Sequence, residues 1–125
     1  MKRVKLKIAF KDKRGEITDL IENESINAVT LVTIKKGAVR GNHYHKKTIQ
    51  WTYMVYGSMK FVSQRPGKKA VETIMKKGDM LVCEKNERHA MIGIKDGAFI
   101  AFTKGPRGGK DYEVDTFRLK APLIS

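Results

Sequence analysis

The chain has 125 residues, 41% of them hydrophobic and 31% charged, which is the size and composition of one globular domain. No stretch holds the roughly 20 consecutive apolar residues of a membrane-spanning helix, and the alternating start from Met1 to Phe10 lacks the apolar segment of a secretory signal. We therefore predict a cytoplasmic protein with no membrane contact and a single domain spanning residues 1–125. Cys83 is the one cysteine, which excludes an intrachain disulfide and a thiolate metal cluster, and its apolar neighbours predict a buried strand residue.

The excess of basic residues raises the question of whether the protein binds nucleic acid. There are 26 Lys and Arg against 13 Asp and Glu, a net charge of +13. The lysines occur as scattered pairs beside predicted turns, at 35–36, 46–47, 68–69 and 76–77. Because no basic helix and no aromatic-glycine RNA motif accompanies them, we predict no nucleic-acid partner. A field of this sign is compatible with an anionic small-molecule substrate.

Nearly the whole chain has the pattern of short β-strands. In chain order, alternating or β-rich runs occur at Val4–Phe10, Ile17–Glu22, Ala28–Lys35, Ile49–Tyr56, Met59–Gln64, Val71–Met75, Met80–Glu84, Ala90–Ile94 and Ala98–Thr103. Turn signals separate them at 11–16, 35–42, 57–58, 65–69, 76–79, 84–88 and 95–98. The tail, 104–125, is predicted to begin as an irregular loop and to end in a short closing strand. No run keeps the helical period for long, so we predict an all-β sandwich or barrel.

Two of the three histidines, His43 and His45, stand two residues apart near the edge of a predicted strand. Successive side chains of a strand face opposite sides, so these two share a face about 7 Å apart along the backbone, and Tyr44 points away. Two imidazoles in this arrangement can converge on one ion or one substrate. Gln50 and Tyr56 share one face of the next strand, as candidate contacts to the same ligand.

The other face of that strand is apolar and aromatic. It carries Ile49, Trp51, Tyr53 and Val55. A surface of this kind needs cover from another sheet or from a second subunit, so we predict a homodimer.

The spacing of the histidines resembles the two sequence motifs of the cupin superfamily. The first motif corresponds to Gly37, His43, His45, Gln50 and Gly57, and the second begins at Gly78 and supplies His89. All three histidines therefore fall where cupins place theirs. The resemblance implies a double-stranded β-helix, the cupin jelly-roll barrel of the RmlC-like group, with a site inside it.

In the cupin family this pattern implies a metal site formed by His43, His45, His89 and Gln50. The family has glutamate at the last of these positions, and an amide oxygen is a weaker, neutral ligand that cannot act as a base. Imidazole suits divalent Fe, Mn, Ni, Zn or Cu. Our first hypothesis is a small-molecule cupin that uses such a metal on a sugar or another oxygen-rich substrate, as an isomerase, epimerase, oxygenase or lyase.

A second resemblance gives an alternative. The segment Arg40 to Gln50, "RGNHYHKKTIQ", is similar to the nucleotide-sugar 3,4-ketoisomerases and to the cupin domains of capsular-polysaccharide enzymes; "DYEVDTF" near the end resembles the ketoisomerase C-terminal segment. This implies that His43 and His45 move protons on a keto-sugar without a metal. Arg40 would hold a diphosphate or carbonyl oxygen, and Tyr56 is a further candidate substrate contact. A third alternative is a cupin that binds a ligand without turnover.

Overall fold

The computed structural model describes residues 1–125, and ten β-strands make up nearly all of its regular structure. The strands are β1 (Lys2–Arg3), β2 (Ile8–Asp12), β3 (Gly15–Thr18), β4 (Ala28–Ile34), β5 (Val39–Tyr44), β6 (Ile49–Gln64), β7 (Val71–Lys76), β8 (Met80–Cys83), β9 (Arg88–Lys104) and β10 (Phe117–Arg118). A single 3-10 turn, Gly109–Asp111, precedes β10. The all-β prediction is confirmed. The closing strand expected at the end of the tail is reduced to the two residues of β10, and residues 119–125 lie outside any strand. The structure has no helix with the length and hydrophobicity that a bilayer crossing needs.

Two long antiparallel strands, β6 and β9, run through the centre of the fold. The first half of β6 pairs with the second half of β9, and β8, β1 and β4 extend this pairing in the order β1-β8-β6-β9-β4. The other halves also pair, and β7, β5 and β10 extend them in the order β7-β6-β9-β5-β10. The two long strands thus pass from one sheet to the other, which is the arrangement of a double-stranded β-helix.

β6 and β9 bend where two glycines meet. The turn signals at 57–58 and 95–98 predict four separate strands here, and this prediction is wrong: the structure has two continuous strands with register shifts around Gly57. Gly57 has a φ of +78°, and a Cβ there would lie 2.4 Å from a carbonyl oxygen of β9. At Gly97 a Cβ would lie 2.5 Å from a carbonyl oxygen of β6. Only residues without a Cβ allow this approach, so the glycines bend the strands without ending them.

The core between the sheets is rich in methionine. Its nine buried members are Ile34, Met54, Met59, Phe61, Met75, Leu81, Cys83, Met91 and Phe99. The unbranched methionine side chains adapt to irregular space between the two sheets. Burial raises the pKa of the Cys83 thiol to about 12, so this cysteine is a packing residue and not a nucleophile, as the sequence predicted.

The N-terminal segment differs from its prediction. A strand is expected over Val4–Phe10, but residues 4–7 lie outside any strand, and β2 pairs only with β3 in a separate two-stranded sheet. Ile8, Phe10 and Ile17 of this hairpin are each more than half exposed. A two-stranded hairpin gains little stability by itself in water. The hairpin therefore presents an uncovered apolar surface.

Candidate active site

The three histidines meet because of the register between β5 and β9. His43 stands directly opposite His89 in this antiparallel pair, and their ring centroids are 4.7 Å apart. His45 follows two residues after His43, and its ring centroid lies 4.9 Å from that of His43 and 5.3 Å from that of His89. One ring nitrogen from each residue lies within 4.8 Å of the others. The structure thus brings together the three residues that the sequence pattern singled out.

Asn42 is the extra residue of a β-bulge in β5. It has no partner in β9 and adopts a left-handed φ of +59°. A bulge bends the strand and turns the neighbouring side chains to new directions. Arg40 and His43 therefore line the same cavity, although strict alternation would place them on opposite faces of β5.

The histidines line an open cavity of about 380 Å³. Its apolar wall comes from β4 and β9, and includes Val32, Met91 and Phe99. The C-terminal segment 107–118 supplies a second wall. That wall is formed by Arg107, Tyr112, Glu113, Thr116 and Arg118. No spacing motif predicts these residues, and the similarity of "DYEVDTF" to a ketoisomerase segment is the one sequence signal that points to them.

His45 is held in one tautomer by the C-terminal segment. Its Nδ1 lies 2.9 Å from the backbone carbonyl oxygen of Asp115, and a carbonyl oxygen only accepts, so Nδ1 carries the proton. In the neutral imidazole the lone pair is therefore on Nε2. This atom is buried and has no hydrogen-bond partner in the protein. It is free to take a proton or to bind a metal ion.

Burial lowers the pKa of the other two histidines. The pKa of His43 falls to about 4, first because burial disfavours the charged form and then because His45 and Arg118 add positive charge. His89 is 1% exposed, and burial, followed by the charges of His43 and His45, lowers its pKa well below the usual value. The ring of His89 stacks on Phe61, and neither of its nitrogens has a partner in the protein. Both residues are neutral imidazoles at pH 7.

Guanidinium groups dominate the charge of the cavity. Arg40, Arg107 and Arg118 line it, against the one carboxylate of Glu113, which accepts a hydrogen bond from Arg118 at 2.9 Å. Arg40 donates Nε to the carbonyl oxygen of Thr33 at 3.0 Å, which leaves its two terminal nitrogens for other partners. The excess positive charge suits an anionic ligand such as a phosphate group.

The remaining predicted residues have different positions. Gln50 lines the cavity and donates Nε2 to the hydroxyl of Thr52 at 3.1 Å, so its amide oxygen can still accept or coordinate. Tyr44 points away from the cavity, as predicted, and stacks on Phe117. The structure does not bring Tyr56 to the site: it is 51% exposed and does not line the cavity. The register shift just before Tyr56 breaks the alternation on which its prediction depended.

The histidines fit a divalent metal ion in donor type. Three imidazoles with an amide oxygen nearby are a ligand set that several transition metals accept. The unpartnered nitrogens of His45 and His89 are what such a set requires. His43, His45 and His89 are the residues that would hold the ion, and Gln50 is the candidate fourth ligand.

Sequence comparison assigns the chain to a family. A model of the polysaccharide biosynthesis C-terminal domain matches residues 10–104. The chain belongs to this family. No curated protein sequence matches it.

Several solved structures are similar in fold to this polysaccharide biosynthesis C-terminal domain. QdtA, a sugar 3,4-ketoisomerase from Thermoanaerobacterium thermosaccharolyticum in complex with TDP, is 21% identical with a TM-score of 0.76, over 94% of this chain and 87% of that one. The dTDP-4-dehydrorhamnose 3,5-epimerase from Sulfolobus tokodaii is 20% identical with a TM-score of 0.69, over 80% and 68%. The capsular polysaccharide assembling protein CapF from Staphylococcus aureus is 20% identical with a TM-score of 0.66, over 94% of this chain and 35% of that one. These similarities confirm the predicted fold, a double-stranded β-helix or cupin jelly roll.

Proposed function

We propose that this chain is a cytoplasmic nucleotide-sugar isomerase that moves a carbonyl group between carbons 3 and 4 of a keto-sugar without a metal ion. The observation that carries the proposal is a cavity lined by three imidazoles and three guanidinium groups. An enzyme of this class needs basic nitrogens at the sugar and cations at the diphosphate. The fold similarity to a sugar 3,4-ketoisomerase in complex with TDP supports the same substrate class.

The reaction consists of proton transfers only. A base removes the proton from carbon 3, beside the carbonyl group at carbon 4, and the oxygen of that carbonyl takes a proton to give an enediol. Loss of the proton on oxygen 3 and protonation of carbon 4 then produce the 3-keto sugar. One hydrogen has moved between the carbons and one between the oxygens, so no oxidant or reductant is needed. We assign these transfers to His43, which is neutral at pH 7, and to His45, which presents Nε2.

The diphosphate is assigned to the arginines that flank His43. Arg118 of β10 stands opposite His43 of β5, and Arg40 lies on the other side of the Asn42 bulge. Both line the cavity, and a guanidinium group offers paired donors that match phosphate oxygens. Phosphates bound by these two arginines would lie beside His43.

The test uses TDP-4-keto-6-deoxyglucose, the ligand bound by one of the structural neighbours, in D₂O with proton NMR. We expect a 3-keto product with solvent deuterium on the sugar carbons. His43→Asn and His45→Asn should each lower turnover by about 100-fold to 10,000-fold and keep substrate affinity. Arg40→Gln should raise KM, whereas Arg65→Gln, an exposed arginine outside the cavity, should not.

Three other outcomes of this experiment would lead to different functional conclusions. Deuterium at carbons 3 and 5 with the 4-keto group kept would indicate an epimerase. Binding without any exchange would support the non-catalytic alternative. The absence of both binding and exchange with every nucleoside-diphosphate-linked keto-sugar tested would refute the proposed function.

A metal-dependent reaction is the second candidate, favoured by the unpartnered nitrogens of His45 and His89. A bound Fe, Mn, Ni, Zn or Cu ion would supply a Lewis acid that polarises a substrate carbonyl. Elemental analysis of protein purified without a nickel column separates the two candidates. A content of about one metal ion per chain, lost in His89→Ala, would support the metal site. Full isomerase activity after removal of metal by a chelator would support the metal-free reaction.

We also propose that the protein forms a homodimer, with residues 1–125 as one domain in each copy. Val29 and Leu31 of the edge strand β4 are 63% and 66% exposed, and the β2–β3 hairpin adds Ile8, Phe10 and Ile17. A second copy can cover these surfaces and pair with the free edge of β4. Light scattering should give about twice the chain mass of 14.2 kDa, and Leu31→Lys should shift the protein toward monomer.

A further inference from the structure

Asp115 joins the C-terminal segment to the turn that follows His45. It is 6% exposed, although its side chain is a carboxylate. Oδ1 accepts a hydrogen bond from the backbone of Lys46 at 3.1 Å, and Oδ2 accepts from the backbone of Lys47 and the hydroxyl of Thr48, both at 2.8 Å. Three donors on one carboxylate offset the cost of burying it. The three residues that follow His45 are therefore held by one side chain.

The same residue also contacts the imidazole of His45. The backbone carbonyl oxygen of Asp115 accepts the Nδ1 proton of His45 at 2.9 Å, and no carboxylate accepts a hydrogen bond from any of the three histidines. On the other side, the carbonyl oxygen of His45 accepts the backbone N–H of Asn86 at 2.6 Å. The backbone of His45 and the direction of its ring are thus both constrained.

We infer that Asp115 is a positioning residue that keeps His45 with its proton on Nδ1 and its lone pair on Nε2, aimed at the cavity. This inference rests on the proposed function, in which Nε2 takes and returns the substrate proton. Asp115 acts through His45, because it does not line the cavity itself. A neutral imidazole exchanges its proton between the two nitrogens, and the fixed carbonyl is what selects one form.

The first measurement needs no substrate. Long-range ¹H–¹⁵N spectra of histidine-labelled protein identify which ring nitrogen carries the proton. We expect the Nδ1–H form for His45 in the wild type and in Asp115→Asn, which keeps an acceptor oxygen. Asp115→Ala should give a mixture of tautomers. Asp111 is an exposed residue of the same segment with no hydrogen bond to the ring of His45, so Asp111→Ala is the matched control and should leave the spectrum unchanged.

Kinetics supply the second measurement. Asp115→Ala should lower kcat at least tenfold and change KM less than twofold, because the cavity wall is untouched, and Asp115→Asn should recover most of the loss. Thr48→Val removes one bond to the carboxylate and should lower kcat by a smaller factor, so it serves if Asp115→Ala does not fold. An Nε2–H tautomer in the wild type, or an unchanged Nδ1–H form in folded Asp115→Ala, overturns the inference. If the tautomer shifts as expected in a protein with no isomerase activity, the proposed function fails and the positioning role stands.

Discussion

Mild acid should destabilise this protein before its carboxylates titrate, because His43 is held neutral in the folded state. The pKa of His43 is about 4 in the folded protein, against 6.5 without the fold. Between these two pH values His43 binds a proton in the unfolded chain but not in the folded protein. The free energy of unfolding is therefore highest above pH 6.5 and decreases as the pH falls toward 4. The groups that face His43 are His45, His89 and Arg118, and none of them offers a negative charge. The lowered pKa of His89 acts in the same direction.

The size of the effect follows from the two pKa values. The pKa of His43 is 6.5 in the unfolded chain and about 4 in the folded protein. By proton linkage this difference alone lowers the free energy of unfolding by about 2 kcal/mol between pH 7.5 and pH 5.0. The pKa of Asp115 lies below its ordinary value, so that carboxylate stays ionised across this range. With a urea m-value of about 2 kcal/mol per molar, the unfolding midpoint should fall by about 1 M.

Urea unfolding at the two pH values, followed by the fluorescence of Trp51, measures this change. Asparagine does not titrate, so His43→Asn should lose about 2 kcal/mol less than the wild type between pH 7.5 and pH 5.0. The comparison uses the pH-dependent difference within each protein, so a change in absolute stability does not affect it. If His43→Asn loses as much stability as the wild type, the pKa of His43 is not lowered by burial and the reasoning is refuted.

Two further predictions test the bend of the long strands and the attachment of the C-terminal tail. Gly57→Ala should destabilise the protein much more than Gly67→Ala. Both glycines have positive φ, so alanine at either position adds about 1 kcal/mol of backbone strain. Only at Gly57 would the added Cβ also lie 2.4 Å from a backbone atom. Equal urea midpoints for the two variants would contradict the close approach of the strands. Asn42→Ala should speed proteolysis of the C-terminal tail, because the Asn42 side chain makes three hydrogen bonds with residues 123–124, each with a net value of about 1 kcal/mol. The control is Asn23→Ala, because Asn23 also has a left-handed φ but makes no such bonds. Equal cleavage rates in Asn42→Ala and Asn23→Ala would contradict the attachment of the tail by Asn42.

The sequence by itself determined the all-β class and the three histidines of the site. Period-two alternation is a local property of the chain, so it predicts that residues such as His43 and His45 share a face. The spacing that places His89 in a second motif then predicts that it joins them, and the register of β5 with β9 confirms this.

Only the tertiary structure decided the rest of the site. Whether Gly57 ends a strand or bends it depends on a backbone that approaches from about 40 residues later, which no local pattern encodes. The exclusion of Tyr56 follows from that bend, because a shifted register changes the face of every residue beyond it. The contribution of Arg118 and Asp115 depends on hydrogen bonds and strand pairing across about 70 residues. Such contacts form only when the whole chain has folded, and a loop without periodicity has no local pattern that tells which strand it will cover.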